Sequence, residues 1–148
     1  NGVLLGGHVH VQDRAIISGN SAVHHFTTVG RLAFVGGCSK VVRDVPPFML
    51  SNGCDKHEIS TINLVGLQRA GVGKEGIALV KQAYRVLFRE NKRAADARAQ
   101  FLSELNGALT PELSELFDFL ETQSRGRMGR AREVVREQKF CPPQLKAA

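Results

Sequence analysis

The stretch Leu5-Gly-Gly-His-Val-His-Val-Gln-Asp-Arg-Ala-Ile-Ile17 opens a repeat in which every sixth residue is aliphatic. The aliphatic positions are Leu5, Val11, Ile17, Val23, Val29, Val35 and Val41. A small or β-branched residue lies four positions after each of the first six: Val9, Ala15, Ser21, Thr27, Ala33 and Ser39. This spacing fits neither the period of about 2 of a strand nor the period of about 3.6 of a helix. The repeat predicts a parallel β-helix with three short faces in each coil of about 18 residues.

The repeat is expected to end at Asp44-Val-Pro-Pro-Phe48, because proline cannot donate a hydrogen bond to a sheet ladder. Apolar residues at helical spacing follow over Gly76 to Glu90 and Ala94 to Leu105. Thr110-Pro111 predicts the N-cap and first turn of a third helix. The expected organisation is a β-helix over 1–47, a connecting loop over 48–73, a helical domain over 74–124, and a basic tail over 125–148 that is frayed or weakly helical.

Composition narrows the class of protein. The 148 residues include 20 Lys and Arg against 14 Asp and Glu, and residues 63–148 hold 15 of the basic and 10 of the acidic residues. Hydrophobic residues make up 43%, and no apolar run approaches the ~18 residues of a membrane span, so a soluble protein is expected. The three cysteines form no CxxC motif, which favours a reducing, cytoplasmic setting. No signal peptide is visible, and the Asn at position 1 suggests a fragment.

Histidines are expected to gather along one edge of the β-helix. Residues 18 apart stack one strand spacing, about 4.8 Å, from each other, so Gly7 lies one coil below His25 and close to His8 and His24. This edge is a candidate site, although outward polar residues of a β-helix are an alternative interpretation. A metal site using His8 and His10 is a further alternative, but no Cys, Asp or Glu completes the ligand set. No metal or cofactor is predicted.

Six segments carry a resemblance to a known family. They are Gly6-Gly-His-Val, Ile17-Ser-Gly-Asn, Ala22-Val-His-His-Phe, Val35-Gly-Gly-Cys-Ser, Asp44-Val-Pro-Pro-Phe and Asn63-Leu-Val-Gly-Leu-Gln-Arg-Ala-Gly. In this order they resemble the acyl-carrier-protein-dependent UDP-N-acetylglucosamine O-acyltransferases of lipid A biosynthesis, from Asn1 to about Leu120. The resemblance implies the last coils of a left-handed parallel β-helix with a helical C-terminal domain. It also implies a homotrimer with active sites between neighbouring solenoids.

The activity implied by the resemblance is transfer of a 3-hydroxyacyl chain from acyl carrier protein to the 3-hydroxyl of UDP-GlcNAc. The implied setting is the cytoplasm of a Gram-negative-type bacterium, and neither metal nor cofactor takes part. A histidine acts as general base on the sugar hydroxyl, and a backbone N–H stabilises the oxyanion. Gly7 matches the glycine that supplies this N–H, and His8 matches a supporting histidine of the same pocket.

The resemblance also assigns substrate-binding residues. His24 matches an active-site histidine, His25 stands beside it, and Arg69 matches an arginine that reaches the nucleotide phosphates. Phe34 and Gly37 match positions that shape the acyl-chain groove, so Gly37 is expected to help set the chain length.

Several positions depart from the family pattern. The family's general-base histidine belongs to a coil preceding Asn1, roughly one turn below His8, so the chain alone is expected to be inactive. His25 replaces a usual glutamine, Ala70 a frequent second arginine, and Asp55 a histidine that often borders the acyl site. The changes at His25 and Ala70 keep open an acyltransferase acting on another nucleotide sugar or acyl donor. A non-catalytic trimeric scaffold is another alternative.

The basic surplus of the helical half is interpreted as a docking surface for acyl carrier protein, which is acidic. The candidates are Lys81, Arg85, Arg89, Lys92 and Arg93. The arginines of the tail are not interleaved with aromatic residues, so nucleic-acid binding is not predicted. Membrane insertion is not predicted either.

Overall fold

Seven two-residue strands recur at six-residue intervals and build three parallel sheets. The computed structural model describes residues 1–133. The strands are β1 (Leu4–Leu5), β2 (His10–Val11), β3 (Ile16–Ile17), β4 (Ala22–Val23), β5 (Thr28–Val29), β6 (Phe34–Val35), β7 (Lys40–Val41), β8 (Met49–Asn52) and β9 (Glu58–Ile62). The helices are α1 (Leu64–Arg69), α2 (Lys74–Tyr84), α3 (Ala94–Glu104) and α4 (Pro111–Ser124), and a π-helical turn, Arg85–Arg89, extends α2.

The register confirms the coil of 18 residues. Parallel partners are Leu5 with Val23, Val11 with Val29 and Ile17 with Val35. Side chains at the six-residue positions point inward, and Val29, Val35 and Val41 have no exposed surface. Each corner is tight because a non-glycine residue there adopts a positive φ of 55° to 63°: His8, Arg14, Asn20, Phe26, Leu32 and Cys38.

The winding continues past the two prolines, contrary to the expectation that they stop it. Val45 bridges in parallel to β5, and β8 pairs in parallel with β6. Pro46 and Pro47 lie in the corner between these two segments, where no ladder N–H is required. Phe48 completes this corner with a φ of 67°, and its N–H donates to the Arg31 carbonyl at 2.9 Å. Parallel pairing therefore reaches Asn52 in β8.

The segment expected to be a loop over 48–73 contains β8, β9 and α1. Strand β9 runs antiparallel to β8 and ends the stack of parallel strands. Asn63 connects β9 to α1: its Oδ1 accepts from the Gly66 N–H at 3.0 Å, and its Nδ2 donates to the Leu32 carbonyl at 2.8 Å. One side chain thus caps the helix and fixes it to a coil corner.

The three predicted helices are present as α2 with its π turn, α3 and α4. The Thr110 hydroxyl accepts from the Leu113 N–H at 3.4 Å, which confirms the N-cap of α4. Apolar faces of the helices meet the outside of the coils in one core, whose fully buried members include Phe48, Leu67, Val80, Phe101 and Leu116. Helix α4 is also bound to the coil by Arg31, whose Nε and Nη2 donate to the Glu115 carboxylate.

The basic tail departs from expectation where it can be seen. Residues 125–133 form successive turns rather than a helix, with a bridge between Arg127 and Arg130. Residues 134–148 lie outside the described part of the chain, so the expectation for them stays a prediction. None of the helices within residues 1–133 has the length and apolar character needed to cross a membrane.

Candidate functional site

The predicted histidines share the corner that joins the sheet of β1 to the sheet of β2. Residues 6–9 and 24–27 form this corner in the first two coils and are termed the histidine corner. The His8 ring stacks on the Phe26 ring with 4.7 Å between centroids and 3° between planes. The Phe26 N–H donates to the Gly7 carbonyl at 3.0 Å. The predicted offset of one coil between these residues is therefore observed.

Gly7 offers a backbone N–H to an external oxygen. Among the hydrogen bonds of residues 1–133, this N–H donates to no acceptor, and a Cβ at position 7 would meet no atom within 4 Å. The equivalent N–H groups of Gly19 and Gly37 are also free in the described part of the chain. Gly7 differs from them in preceding His8 and in lying one coil below His25, which is next to His24. An oxyanion placed here would be close to both a hydrogen-bond donor and imidazole rings.

His24 and His25 form a close pair, with ring centroids 3.7 Å apart. His24 Nδ1 lies 3.0 Å from the His25 carbonyl oxygen. In the tautomer with a proton on Nδ1, His24 donates to this carbonyl and keeps Nε2 as an acceptor. The pair can therefore accept a hydrogen bond from a substrate hydroxyl.

The other predicted site residues lie on different parts of the coil. Phe34 points outward from β6, and Arg69 is exposed at the end of α1; both line a cleft of about 570 Å³ with Arg14. Gly37 occupies the corner after β6, where a Cβ would lie 3.4 Å from the Gly19 carbonyl. A single chain brings Gly7, His8, His24 and His25 together but keeps Phe34, Gly37 and Arg69 away from them.

Sequence analysis missed a segment that packs on the histidine corner. Gly129–Glu133, termed the C-terminal strap, returns from α4 to the third coil. The Arg130 guanidinium is buried and donates to the Val42 carbonyl, and the Ala131 N–H donates to Asp44 Oδ2 at 2.7 Å. Asp44 Oδ1 accepts from the Thr28 N–H at 2.7 Å, so one carboxylate holds both the coil and the strap.

The pKa values of Asp44 and Glu133, the two carboxyl groups of this region, are shifted in opposite directions. Burial raises the pKa of Asp44, and the hydrogen bonds from the Ala131 and Thr28 amides oppose this rise only in part. A hydrogen bond from the Arg130 guanidinium lowers the pKa of Glu133. Glu133 is therefore a stable anion at neutral pH, and it is paired with a buried cation.

One group within residues 1–133 has the composition of a metal site. The ligand atoms of His24, His25 and Glu133 all lie within 4.8 Å of one another. Two imidazoles and a carboxylate are donors that suit Zn²⁺. The same carboxylate is paired with Arg130, however, so a metal ion bound there would face a guanidinium. His8 and His10 belong to no such group within the described residues.

Known proteins resemble the chain over most of its length. The family described as "Udp N-acetylglucosamine O-acyltransferase; Domain 2" matches residues 44–128, more than half of the 148 residues. A relative from Anaeromyxobacter sp. (strain K), named acyl-[acyl-carrier-protein]--UDP-N-acetylglucosamine O-acyltransferase, is 43% identical over 126 residues, which are 85% of this chain and 48% of the relative. A relative of the same name from Gloeothece citriformis is 41% identical and covers 87% of this chain and 46% of its own length.

Solved structures agree with these sequence matches. The LpxA structure from Acinetobacter baumannii superimposes with a TM-score of 0.74 at 33% identity, over 82% of this chain and 46% of that one. The UDP-N-acetylglucosamine acyltransferase of Arabidopsis gives a TM-score of 0.71 at 31% identity, over 80% of this chain and 42% of that one. The chain spans about half the length of the curated relatives that it matches. It belongs to the UDP-N-acetylglucosamine O-acyltransferase family.

Proposed function

We propose that the chain is the C-terminal half of an enzyme that transfers a 3-hydroxyacyl chain from acyl carrier protein to the 3-hydroxyl of UDP-GlcNAc, the first step of lipid A biosynthesis. The observation that carries this proposal is the free N–H of Gly7 at the histidine corner, next to His8, in a member of this family. The names of the relatives give the acyl donor, acyl carrier protein, and the acceptor, UDP-N-acetylglucosamine. The proposed location is the cytoplasm of a Gram-negative-type bacterium.

In the proposed reaction, a general base takes the proton of the sugar hydroxyl as its oxygen attacks the thioester carbonyl, which becomes an oxyanion. The carbonyl then re-forms, the carbon–sulfur bond breaks, and the carrier's sulfur leaves as a thiolate that takes up the proton. The Gly7 N–H donates to the oxyanion, while His8 and His24 orient the reacting groups. The general-base histidine belongs to a coil stacked below His8. The exposure of the first coil supports such a coil: Leu5 is 53% and Val11 40% exposed, although both point inward.

We propose that the active form is a homotrimer of left-handed β-helices. Ile16, Phe34 and Leu50 stack on the outer surface of the β3, β6 and β8 sheet, and the exposed Val65 lies beside them. An apolar ladder on the outside of a coil suits contact with another solenoid. Packing of a second copy would also bring its Arg69 and Phe34 toward a histidine corner that lacks them.

Acyl carrier protein is proposed to dock on the basic face of the helical domain. Lys81 and Arg85 are exposed and have no ion pair with any residue in 1–133, whereas Arg93 is paired with Asp96 at 2.8 Å. Charge reversal of Arg85 and Arg89 together should raise the KM for acyl carrier protein and leave the KM for the nucleotide sugar unchanged. An unchanged KM for the carrier would contradict this docking surface.

Two other functions are alternatives to the proposed acyl transfer to UDP-GlcNAc. One is an acyltransferase of the same fold that acts on another nucleotide sugar or acyl donor, and the departures at His25 and Ala70 keep it open. Mass analysis of the product from a panel of nucleotide sugars and acyl carriers would identify such a substrate. A non-catalytic scaffold would give no product with any combination.

The central test changes Gly7 without disturbing the fold. An alanine methyl at position 7 would meet no atom within 4 Å, so Gly7→Ala should retain the wild-type melting temperature. The alanine keeps the N–H, but its methyl would crowd the approach of the thioester to it. We expect kcat to fall at least tenfold, which is less than the factor of about 10²–10³ for complete removal of an oxyanion donor. Gly73→Ala is a matched control, because its Cβ also meets no atom within 4 Å. Full activity of Gly7→Ala in the complete gene product would refute the assigned role.

A further inference from the structure

The C-terminal strap brings one more charged side chain to the histidine corner. Arg132 Nη1 donates to the His8 carbonyl at 2.9 Å, although the two residues are 124 positions apart. The side chain is held from its other end because the preceding residue, Ala131, donates to the buried carboxylate of Asp44. Arg132 is exposed and lies beyond the family match, which ends at residue 128. No role for it follows from the comparisons.

Arg132 lines a cleft of about 580 Å³ between the coils and helix α4. His10 and Thr28 form the coil side of this cleft, and Phe119 belongs to its helical side. The guanidinium therefore stands between the histidine corner and a space that is large enough for part of a ligand.

The carboxylates around Arg132 already have partners. Glu115 is paired with Arg31 at 2.7 Å, and Asp118 with Arg98 at 2.7 Å. Glu133 is paired with Arg130, and both oxygens of Asp44 accept backbone hydrogen bonds. Arg132 itself has no carboxylate within 4.0 Å in the part of the chain that is described. Its charge partly opposes the rise that burial causes in the pKa of the nearby Asp44, but the guanidinium forms no ion pair with any residue in 1–133.

The Arg132 guanidinium has N–H donors that are available to a ligand. It carries five N–H groups in a planar fork, and the bond to the His8 carbonyl uses one of them. Such a fork matches two oxygens of a phosphate better than a lysine ammonium does. Anchoring by the His8 carbonyl also fixes the fork before a ligand arrives, which lowers the entropy cost of binding.

We propose that Arg132 binds a phosphate group of a substrate at the histidine corner, an inference that rests on the proposed function. Both substrates of that reaction can supply the group, because the nucleotide sugar carries a diphosphate and the acyl carrier holds its chain through a phosphodiester. Arg132 is then a binding residue contributed by the chain's own C-terminal segment. Its removal should weaken substrate binding much more than it slows the bound complex.

The test uses the complete gene product with Arg132→Ala, Arg132→Lys and the control Arg125→Ala. Arg125 is exposed and pairs with Glu121, away from the strap. Dissociation constants for UDP and for inorganic diphosphate are measured by calorimetry, and KM and kcat are measured for each substrate. Arg132→Ala should raise the affected constant at least about tenfold with less than a twofold fall in kcat. The constants of Arg132→Lys should lie between those of Arg132→Ala and the wild type. Those of Arg125→Ala should equal the wild-type values.

The outcomes separate the two sources of phosphate. A higher KM for UDP-GlcNAc with weaker UDP binding identifies the diphosphate, and a higher KM for the acyl carrier alone identifies the phosphodiester. Unchanged constants for every ligand would overturn the proposal. A fall in kcat and melting temperature without a change in KM would also overturn it, because it would show a structural role. If the wild type transfers no acyl chain, weaker binding of UDP or diphosphate by Arg132→Ala still supports the site while the proposed function fails.

Discussion

Asp44→Ala should lower the free energy of unfolding by about 2 kcal/mol at neutral pH. Asp44 is 3% exposed and accepts from the Thr28 and Ala131 amides, each at 2.7 Å. Alanine leaves the buried Thr28 N–H without an acceptor, which costs about 1–3 kcal/mol. The half-buried Ala131 N–H can reach water, so its loss costs about 0.5–1.5 kcal/mol. Removal of a buried charge offsets part of the sum.

The pH dependence of the free energy of unfolding provides a second, independent test of the role of Asp44. Burial raises the pKa of Asp44 in the folded state above the value of about 3.9 in the unfolded state. Between these two pKa values the folded protein binds more protons than the unfolded chain, so stability falls as the pH rises through this window. Asp44→Asn does not titrate at this position. The stability of the wild type minus that of Asp44→Asn should therefore decrease from about pH 4 upward.

Urea unfolding of the complete gene product, followed by circular dichroism at several pH values, measures both effects. Asp96→Ala is the control, because Asp96 is exposed and pairs only with Arg93 among the described residues, so its loss should change the stability little. The reasoning is refuted if Asp44→Ala costs no more than Asp96→Ala. It is also refuted if the difference between wild type and Asp44→Asn grows with rising pH.

Three further predictions concern the coil, a helix cap and a half-buried histidine. Val23→Asp should lower the free energy of unfolding by more than about 4 kcal/mol in a urea titration, because Val23 is 3% exposed and lines the coil interior; a loss below about 1 kcal/mol would contradict the packing. Thr110→Ala should cost about 1 kcal/mol in the same assay, since the hydroxyl accepts from the Leu113 N–H, and no loss would argue against the cap. Burial and then the charge of Arg43 lower the pKa of His57, so stability should fall as the pH drops from about 6.5 toward the lowered value. Unfolding of His57→Gln should lack this slope, and an identical slope would contradict the assignment.

The coils could be read from the sequence because their geometry is local and periodic. Each face contributes one inward side chain every six residues, so the aliphatic pattern marks the interior directly, as at Val29 and Val35. The start of α4 was equally readable, because the Thr110-Pro111 pair has a local capping function.

The end of the coils could not be read in the same way. Two consecutive prolines predict the end of a sheet ladder, but their effect depends on whether the missing N–H falls in a strand or in a corner. Pro46 and Pro47 fall in a corner, where they pack on Gly30: a Cβ at position 30 would lie 2.5 Å from the Pro47 nitrogen. Composition does not reveal this register, because the corner before Val45 is shorter than the others and shifts the repeat.

The sequence does not predict the C-terminal strap, for a different reason. The Ala131–Asp44 hydrogen bond joins residues 87 positions apart, and no periodic pattern announces such a contact. Residues 125–132, Arg-Gly-Arg-Met-Gly-Arg-Ala-Arg, have the composition of a solvated tail. Arg130, within this segment, is buried because Glu133 and the Val42 carbonyl bind its guanidinium. These partners are brought together only by the folded chain.

Spacing within the coil also explains why one chain cannot hold the whole candidate site. Residues that differ by 18 share an edge, which is why Gly7 lies directly below His25. Gly37 follows Gly7 by 30 positions, which is one coil of 18 plus 12, so it lies two faces further around the coil. Arg69 belongs to a helix outside the coils. No side-chain rotation removes an offset of two faces, so these residues can meet the histidine corner only if a second solenoid packs against it.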